Sequence, residues 1–323
     1  MTIPFKTIVF IMAIFVLMAI AWNLNTGYLQ LSFSDFIGDG ENHQIGSLRI
    51  NRVLAMLLAG ICIPTSGFVL QEYFQNPLAG PEVLGITSIA SLSVAFYIFA
   101  AQDIQFPEFL QNSFLNISAI AGSFLMLILL LSFSKKVSNS SFLIIFGFLI
   151  SALAGAIISL MQFYADNQSL KNYVLWSFGA NNQLSNNQLL ILAITTAIGL
   201  LFCFKTIKPL MANSLGSQYA QSLGVQLKQL QYLVIICSSL LSASIAAFMG
   251  PILFIGIVVP HFSRMMYNPS KLWQQWILNI LIGILIMELF STISELLGIP
   301  INVISSLFGI PVILMMLIKT NKA

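Results

Sequence analysis

Ten long apolar runs dominate this sequence, and they limit what it can fold into more than any other feature. A helix needs about 20 residues to cross the roughly 30 Å hydrocarbon core of a bilayer, and most of the runs approach that length. In the whole chain of 323 residues only 7% are charged, whereas soluble domains carry about a quarter. The sequence therefore predicts an all-α integral membrane protein, a single domain over residues 1–323, with about ten transmembrane helices. The predicted spans are residues 7–24, 53–70, 83–101, 113–133, 142–164, 188–204, 229–250, 252–266, 272–291 and 303–318.

The eighth of these spans is the weakest. It is short and contains Gly256 and Pro260, so it is predicted to be a broken or partly buried helix rather than a straight crossing.

The basic residues predict the orientation of the chain. Lysine and arginine near span ends stay on the cytoplasmic side, and ten spans with an inside N-terminus place far more basic residues inside than outside. Both termini are therefore predicted to be cytoplasmic. The predicted inside residues are Lys6, Lys135, Lys136, Lys205, Lys208, Lys228, Arg264, Lys271, Lys319 and Lys322, and the predicted outside residues are Arg49, Arg52 and Lys171.

Several kinds of chemistry lack their residues in this chain. An ATPase needs a phosphate-binding loop that ends in Gly-Lys-Ser/Thr, and no Gly-Lys pair occurs. His43 and His261 are far apart, and Cys62, Cys203 and Cys237 lie in apolar runs without metal-ligand spacing. A net charge of +3, dispersed along the chain, leaves no patch for nucleic acid. We therefore predict a transporter rather than an enzyme, with no metal site, no cofactor and no nucleic-acid partner.

Polar residues and prolines flank the second span. Arg49 and Arg52 come before it, and Asn76, Pro77 and Pro81 follow it. Proline lacks a backbone N–H and stops a helix, so a turn is predicted between the second and third spans. The two arginines are candidates either for contact with a partner outside the membrane or for ordinary anchoring at the membrane interface.

Small residues recur in the inner loop (residues 208–228), which the orientation places inside the cell. Gly216, Ala220 and Gly224 are spaced by four residues, so a helix would carry them as a bare stripe on which another protein could pack. An amphipathic connector lying on the membrane surface is the alternative. The candidate contact residues are Leu215, Gly216, Ser217, Ala220, Leu223 and Gly224.

A third unusual segment covers residues 250–264. Two prolines and two glycines within an apolar run predict a bent helix whose freed carbonyls find partners inside the protein. His261 has no second histidine or cysteine nearby and is predicted to be a structural, hydrogen-bonded residue. The residues that define this segment are Gly250, Pro251, Gly256, Pro260, His261 and Arg264.

The fifth span carries small residues at every fourth position, namely Gly147, Ser151, Gly155 and Ser159. Such a stripe suits either a seam between two helices or a smooth pore wall. We predict that it lines the translocation pathway.

Two carboxylates favour a rival class of transporter. Glu288 and Glu295 lie in the outer half of the ninth span or just beyond it, and an ionisable residue in a span is costly and often functional. A proton-coupled secondary transporter that uses these two residues is therefore the alternative.

Taken in order, these segments resemble the FecCD family, the permease subunits of the iron-siderophore and vitamin B12 class of ABC importers. The inner loop and residues 250–264 match the family pattern nearly residue for residue, and the likeness covers the chain from about residue 45 onward. Departures include Asn51 in place of a proline and Thr292 in place of an arginine. The resemblance implies a BtuC-like type II ABC importer permease fold in the bacterial inner membrane.

The resemblance also implies partners and roles. Two permease copies, two ATP-binding cassette ATPase subunits and a soluble substrate-binding protein would assemble in the membrane. The inner loop would couple to the ATPase, and Arg49 and Arg52 would face acidic residues of the binding protein. The cargo would be an iron chelate, such as a siderophore complex or haem, or a cobalamin-like compound.

Overall fold

The computed structural model describes residues 4–38, 40–100, 108–137, 141–179, 184–267, 269 and 271–320, and it has thirteen α-helices and no strand in these residues. The all-α prediction is confirmed. The helices are α1 (Phe5–Asn25), α2 (Phe33–Ile37), α3 (His43–Phe74), α4 (Ile86–Ala100), α5 (Glu108–Lys136), α6 (Ser141–Tyr164), α7 (Asn167–Ser177), α8 (Asn186–Asn213), α9 (Ser217–Ser222), α10 (Leu227–Met249), α11 (Ile255–Met266), α12 (Leu272–Leu297) and α13 (Ile301–Thr320).

Each of the ten predicted spans coincides with one helix, and α2, α7 and α9 are additional short helices in the connections. Within the described residues, seven helices are long and apolar enough to cross a membrane: α1, α3, α5, α6, α8, α10 and α12. The other three, α4, α11 and α13, have shorter apolar stretches. Ten crossings and cytoplasmic termini therefore stay predictions.

Two side-chain contacts each join helix ends that lie on the same predicted face of the membrane. At the predicted cytoplasmic face, called inner here, Arg264 at the end of α11 bonds to Glu72 at the end of α3. At the opposite, outer face, Arg52 of α3 bonds to Asn23 of α1. The fold is thus consistent with a single orientation for all these helices.

Helix α4 begins only at Ile86 because the preceding residues 75–85 are irregular. We call residues 75–85 the re-entrant segment. Helix α3 ends where Gln75 takes a left-handed conformation with φ +50°, and its N–H bonds to the carbonyl of Gln71. A single 3-10 turn, Pro81–Leu84, then packs against α6. A Cβ added to Gly147 of α6 would lie 2.5 Å from the carbonyl oxygen of Val83. The segment therefore folds back into the protein.

Helix α11 is the short, irregular helix that the sequence predicts. It has 12 residues, contains Pro260, and starts after Phe254, which has φ +68°. A positive φ is unusual for a bulky residue. Residues Ile255 to Pro260 are buried, and Gly256 packs against the backbone at Gly67 of α3 with no room for a side chain at Gly67.

Helices α3 and α12 cross at two glycines. A Cβ added to Gly60 would lie 2.5 Å from the Cα of Ile284, and Gly283 faces the carbonyl of Gly60 just as closely. Side chains that cannot fit force helices apart, because packed interiors are dense. This crossing holds α3 in the centre of the protein, where it is mostly buried, while α1 and α6 are mostly exposed at the periphery.

We predict that Gly60→Leu separates α3 from α12 and lowers the stability of the protein by about 1–3 kcal/mol, the usual cost of overpacking. Ala197→Leu is the control, since it adds the same bulk at an exposed position of α8. The measurement is the fraction of detergent-solubilised protein that stays monodisperse after heating. Equal stability of the two variants would contradict the observed close approach.

Candidate transport site

The inner loop contains one short helix, α9, and its two glycines lie outside that helix. Gly216 precedes α9 with φ +113°, and Gly224 follows it with φ +85°. Both are in the left-handed region that glycine adopts readily. Ala220, between them, is fully buried. The prediction that Gly216, Ala220 and Gly224 form one exposed stripe is therefore wrong, because the glycines end the helix instead of continuing it.

Three large apolar side chains beside or within α9 are exposed. Leu215, Tyr219 and Leu223 have exposed fractions of 68%, 52% and 59%, while Ser217 begins α9 and is also exposed. Exposed apolar patches mark surfaces that bind a partner or a membrane. We call Leu215, Tyr219 and Leu223 the apolar loop face. Tyr219 lies at its centre, four residues from both Leu215 and Leu223, and this spacing already places the three large residues beside the small ones in the sequence.

The predicted pathway stripe on α6 is divided into two parts. Gly147 is buried against the re-entrant segment, and Ser151 donates to the carbonyl of Gly147 at 2.8 Å beside Gly85. Gly155 and Ser159, nearer the outer end, are exposed. The inner half is therefore a packing contact within the chain, and only the outer half has a free surface.

Arg49 and Arg52 are buried and bonded to carbonyls at the end of α1 and in the residues just after it. Arg49 donates to the carbonyls of Leu24 and Leu29, at 3.3 and 2.6 Å. Arg52 donates to the carbonyls of Asn23 and Thr26, at 2.8 and 3.0 Å. The last carbonyls of a helix lack partners within it and carry partial negative charge. The two guanidinium groups thus hold the end of α1 against α3, which is a contact within the chain; partner contact and interfacial anchoring both stay predictions.

Glu288 and Glu295 belong to the same polar cluster. Glu295 forms an ion pair with Arg52 at 2.7 Å, and Glu288 is fully buried and accepts a hydrogen bond from Asn23 at 2.6 Å. Toward the inner face the next charged residues of α3 and α12 are Glu72 and Lys271, about 25–30 Å away at 1.5 Å per residue. This gap disfavours a proton relay along these two helices.

Asn51, the departure from the family proline, also makes contacts at the outer face. Its amide donates to the carbonyl of Leu184 at 3.0 Å and to the side-chain oxygen of Asn186 at 2.7 Å. These bonds attach α3 to the start of α8. Thr292, the other departure, is buried and donates to the carbonyl of Glu288.

The two proline-rich motifs meet in space although they are far apart in sequence. Asn76 accepts the N–H of Leu78 in the turn that contains Pro77. Pro81 then packs against Gly256, and its Cδ would be 2.9 Å from a Cβ there. The re-entrant segment and the start of α11 therefore share one interface.

The remaining motif residues lie on either side of that interface. Gly250 has φ +78° and approaches the carbonyl of Trp176, while Pro251 is buried at the beginning of the extended stretch that leads to α11. His261 is half-buried on α11. Arg264 bonds to α3 through Glu72, a partner that sequence reasoning did not single out.

This arrangement is that of a transport permease: a helical membrane chain whose polar contacts tie helices together and whose inner loop presents an apolar face. Comparison with known proteins agrees. The model of the FecCD transport family matches residues 7–319, so the chain belongs to the FecCD family. It is a multi-pass permease subunit of the ABC importer class and not an enzyme, as predicted.

The relatives cover almost the whole chain. The hemin transport system permease protein HmuU of Yersinia pestis is 29% identical over 97% of this chain and 95% of its own length. The vitamin B12 import system permease protein BtuC of Photorhabdus laumondii is 29% identical over 86% of this chain and 82% of its own length. A solved metal-chelate type ABC transporter in an inward-facing conformation is 26% identical, with a TM-score of 0.84 over 98% of this chain and 100% of that one.

We predict that Arg52→Met destabilises the isolated permease by about 2–3 kcal/mol, the scale of lost hydrogen bonds to a charged group. The loss arises because two carbonyls of α1 and the Glu295 carboxylate lose their partner. Lys171→Met, which removes an exposed cation from the same predicted face, is the control. Thermal unfolding in detergent, without any binding protein, makes the measurement independent of docking. An unchanged unfolding temperature for Arg52→Met would contradict the role of Arg52 in holding the end of α1.

Proposed function

We propose that two copies of this chain form the membrane-spanning part of an importer for an iron chelate, such as a siderophore complex or haem, or for a cobalamin-like compound. Two ATPase subunits bind at the inner face and hydrolyse ATP, and a soluble binding protein delivers cargo at the outer face. The relatives for hemin and vitamin B12 support this range of cargo. The apolar loop face is the observation that carries the proposal, because a chain without a phosphate-binding loop needs a docking surface for its energy source.

The second copy and the pathway are proposed from α6. Its outer half exposes Gly155 and Ser159 among large apolar side chains. Small residues let another backbone approach or leave a smooth wall for cargo. In a two-fold symmetric pair of permease copies, the same helix can both contact the second copy and line the pathway.

Docking of the binding protein onto Arg49 and Arg52 stays a prediction. Both side chains are occupied by carbonyls of the α1 end, and Arg52 also by Glu295. A carboxylate from a partner reaches them only if that end of α1 or Glu295 moves aside. The geometry supports a structural role for the arginines more directly than a docking role.

The coupling proposal is tested with Tyr219→Glu. A charge in the centre of an apolar contact typically costs 2 kcal/mol or more, about 30-fold in affinity, so the co-expressed ATPase subunit should no longer co-purify with the permease. Gln221→Glu adds the same charge on the opposite side of α9, where the side chain is exposed, and should retain the ATPase. Equal binding by both variants would instead favour a connector lying on the membrane surface.

The energy source is tested with the assembled importer in membrane vesicles. Uptake of haemin, a ferric siderophore and cyanocobalamin is measured in parallel, with and without ATP at the inner face. We expect uptake of one of these to require ATP and to continue after an ionophore collapses the proton gradient. Uptake that needs the gradient but not ATP would support the rival transporter that uses Glu288 and Glu295.

A further inference from the structure

The inner ends of α3 and α11 are joined by a single arginine. Arg264 on α11 donates to the Gln71 side-chain oxygen at 2.8 Å and to the Glu72 carboxylate at 2.7 Å. The Arg264 and Glu72 side chains are both mostly shielded from solvent. Gln71 in turn donates to the carbonyl of Ile257 at 3.2 Å. Because the guanidinium fork contacts two successive residues of α3, it fixes both the distance and the rotation between the helices.

The same end of α3 touches the inner loop. Asn213, the last residue of α8, donates to the carbonyl of Tyr73 at 3.4 Å. Leu210 and Val225, near the two ends of the inner loop, share one apolar cluster with Tyr73 and Phe74. Through these contacts a displacement of the inner loop is transmitted to α3 next to Glu72.

The other end of α11 lies against the re-entrant segment. Gly256 contacts Pro81 there, and Ile257 reaches Gly80. Helix α11 contains Pro260, which removes one bond from its own ladder. Its orientation consequently depends on what holds its ends. At the inner end Arg264 bonds to α3, and the neighbouring Ser263 is hydrogen-bonded to Gln275 of α12.

We propose that Arg264 is a positioning residue for transport, which makes α11 and the re-entrant segment follow the inner end of α3 when the inner loop moves. The inference rests on the proposed function, because the movement of the inner loop comes from the ATPase. It goes further by naming the contact that passes the movement to α11. Glu72 and Gln71 are its acceptors on α3.

The test uses engineered cysteines as reporters in the assembled complex. The three native cysteines, Cys62, Cys203 and Cys237, are fully buried, so maleimide labelling of an added cysteine has a low background. Phe262→Cys reports on α11 and Gln221→Cys reports on the inner loop, since both positions are exposed. Labelling rates are compared without nucleotide and after trapping with ATP and vanadate.

We expect both reporters to change their labelling rate on trapping in the parent complex. With Arg264→Gln added, the change at Phe262→Cys should be lost while the change at Gln221→Cys remains. With Arg264→Lys, most of the change in labelling rate at Phe262→Cys should be lost, because one ammonium cannot reproduce the two-point contact. The exchanged pair Glu72→Arg with Arg264→Glu should restore part of the change. Lys271→Gln, which removes another inner positive charge, should keep both responses.

Other outcomes separate the possibilities. A retained response of Phe262→Cys in the Arg264→Gln complex would overturn the role of Arg264, as would loss of both responses with the ATPase still bound. Should Arg264→Gln fail to assemble, Glu72→Gln is measured in the same way, since it removes the ion pair and leaves the Gln71 contact. A parent complex in which Gln221→Cys does not respond to trapping would contradict the proposed function itself.

Discussion

Backbone polar groups inside a bilayer must find their partners within the protein, and the irregular parts of this chain are arranged around that requirement. The re-entrant segment, with its single 3-10 turn, and residues 250–254 are both irregular stretches next to membrane helices. The re-entrant segment packs against the start of α11, into which residues 250–254 lead, with Pro81 on Gly256 and Gly256 on the backbone at Gly67. Each stretch is thereby covered by protein. The glycines are needed for this contact because any side chain at Gly67 would collide with α11.

The charged contacts of α3 lie at its two ends. Its centre is joined by close backbone packing and by uncharged hydrogen bonds, such as that from Ser66 to the carbonyl of Ser238 at 3.0 Å. At the outer end Arg52 connects α1 and α12, and at the inner end Arg264 reaches α3 from α11. Charged groups are least costly near the membrane faces, whereas small residues pack well at mid-membrane. Charged contacts therefore lie near the membrane faces, and close backbone packing lies at mid-membrane. Through both, α1, α11 and α12 are attached to α3.

The long helices could be predicted from the sequence because, in a chain with so little charge, an apolar run of sufficient length is best explained as a membrane helix. The short helices α2, α7 and α9 lacked such a signal. The inner loop shows where spacing failed: a four-residue repeat of Gly216, Ala220 and Gly224 implies a shared face only if the helix continues through the glycines. Both glycines take a positive φ, which limits α9 to the residues between them, and Leu215, Tyr219 and Leu223 are exposed.

Contacts between distant segments were the least predictable part. The spacing of Gly147 does not indicate that the re-entrant segment covers it. The positions of Arg49 and Arg52 in the sequence likewise do not indicate that these side chains bond near the end of α1.

The proposed pathway has a surface with few groups that could hold a cargo. Gly155 and Ser159 remain exposed, while Glu288, the more deeply placed of the two carboxylates in α12, is fully buried against Asn23. A pathway must bind weakly enough to release what enters. Selection of the cargo is then best made before it reaches the membrane, by the protein that delivers it, and this fits a family whose members are named for both hemin and vitamin B12.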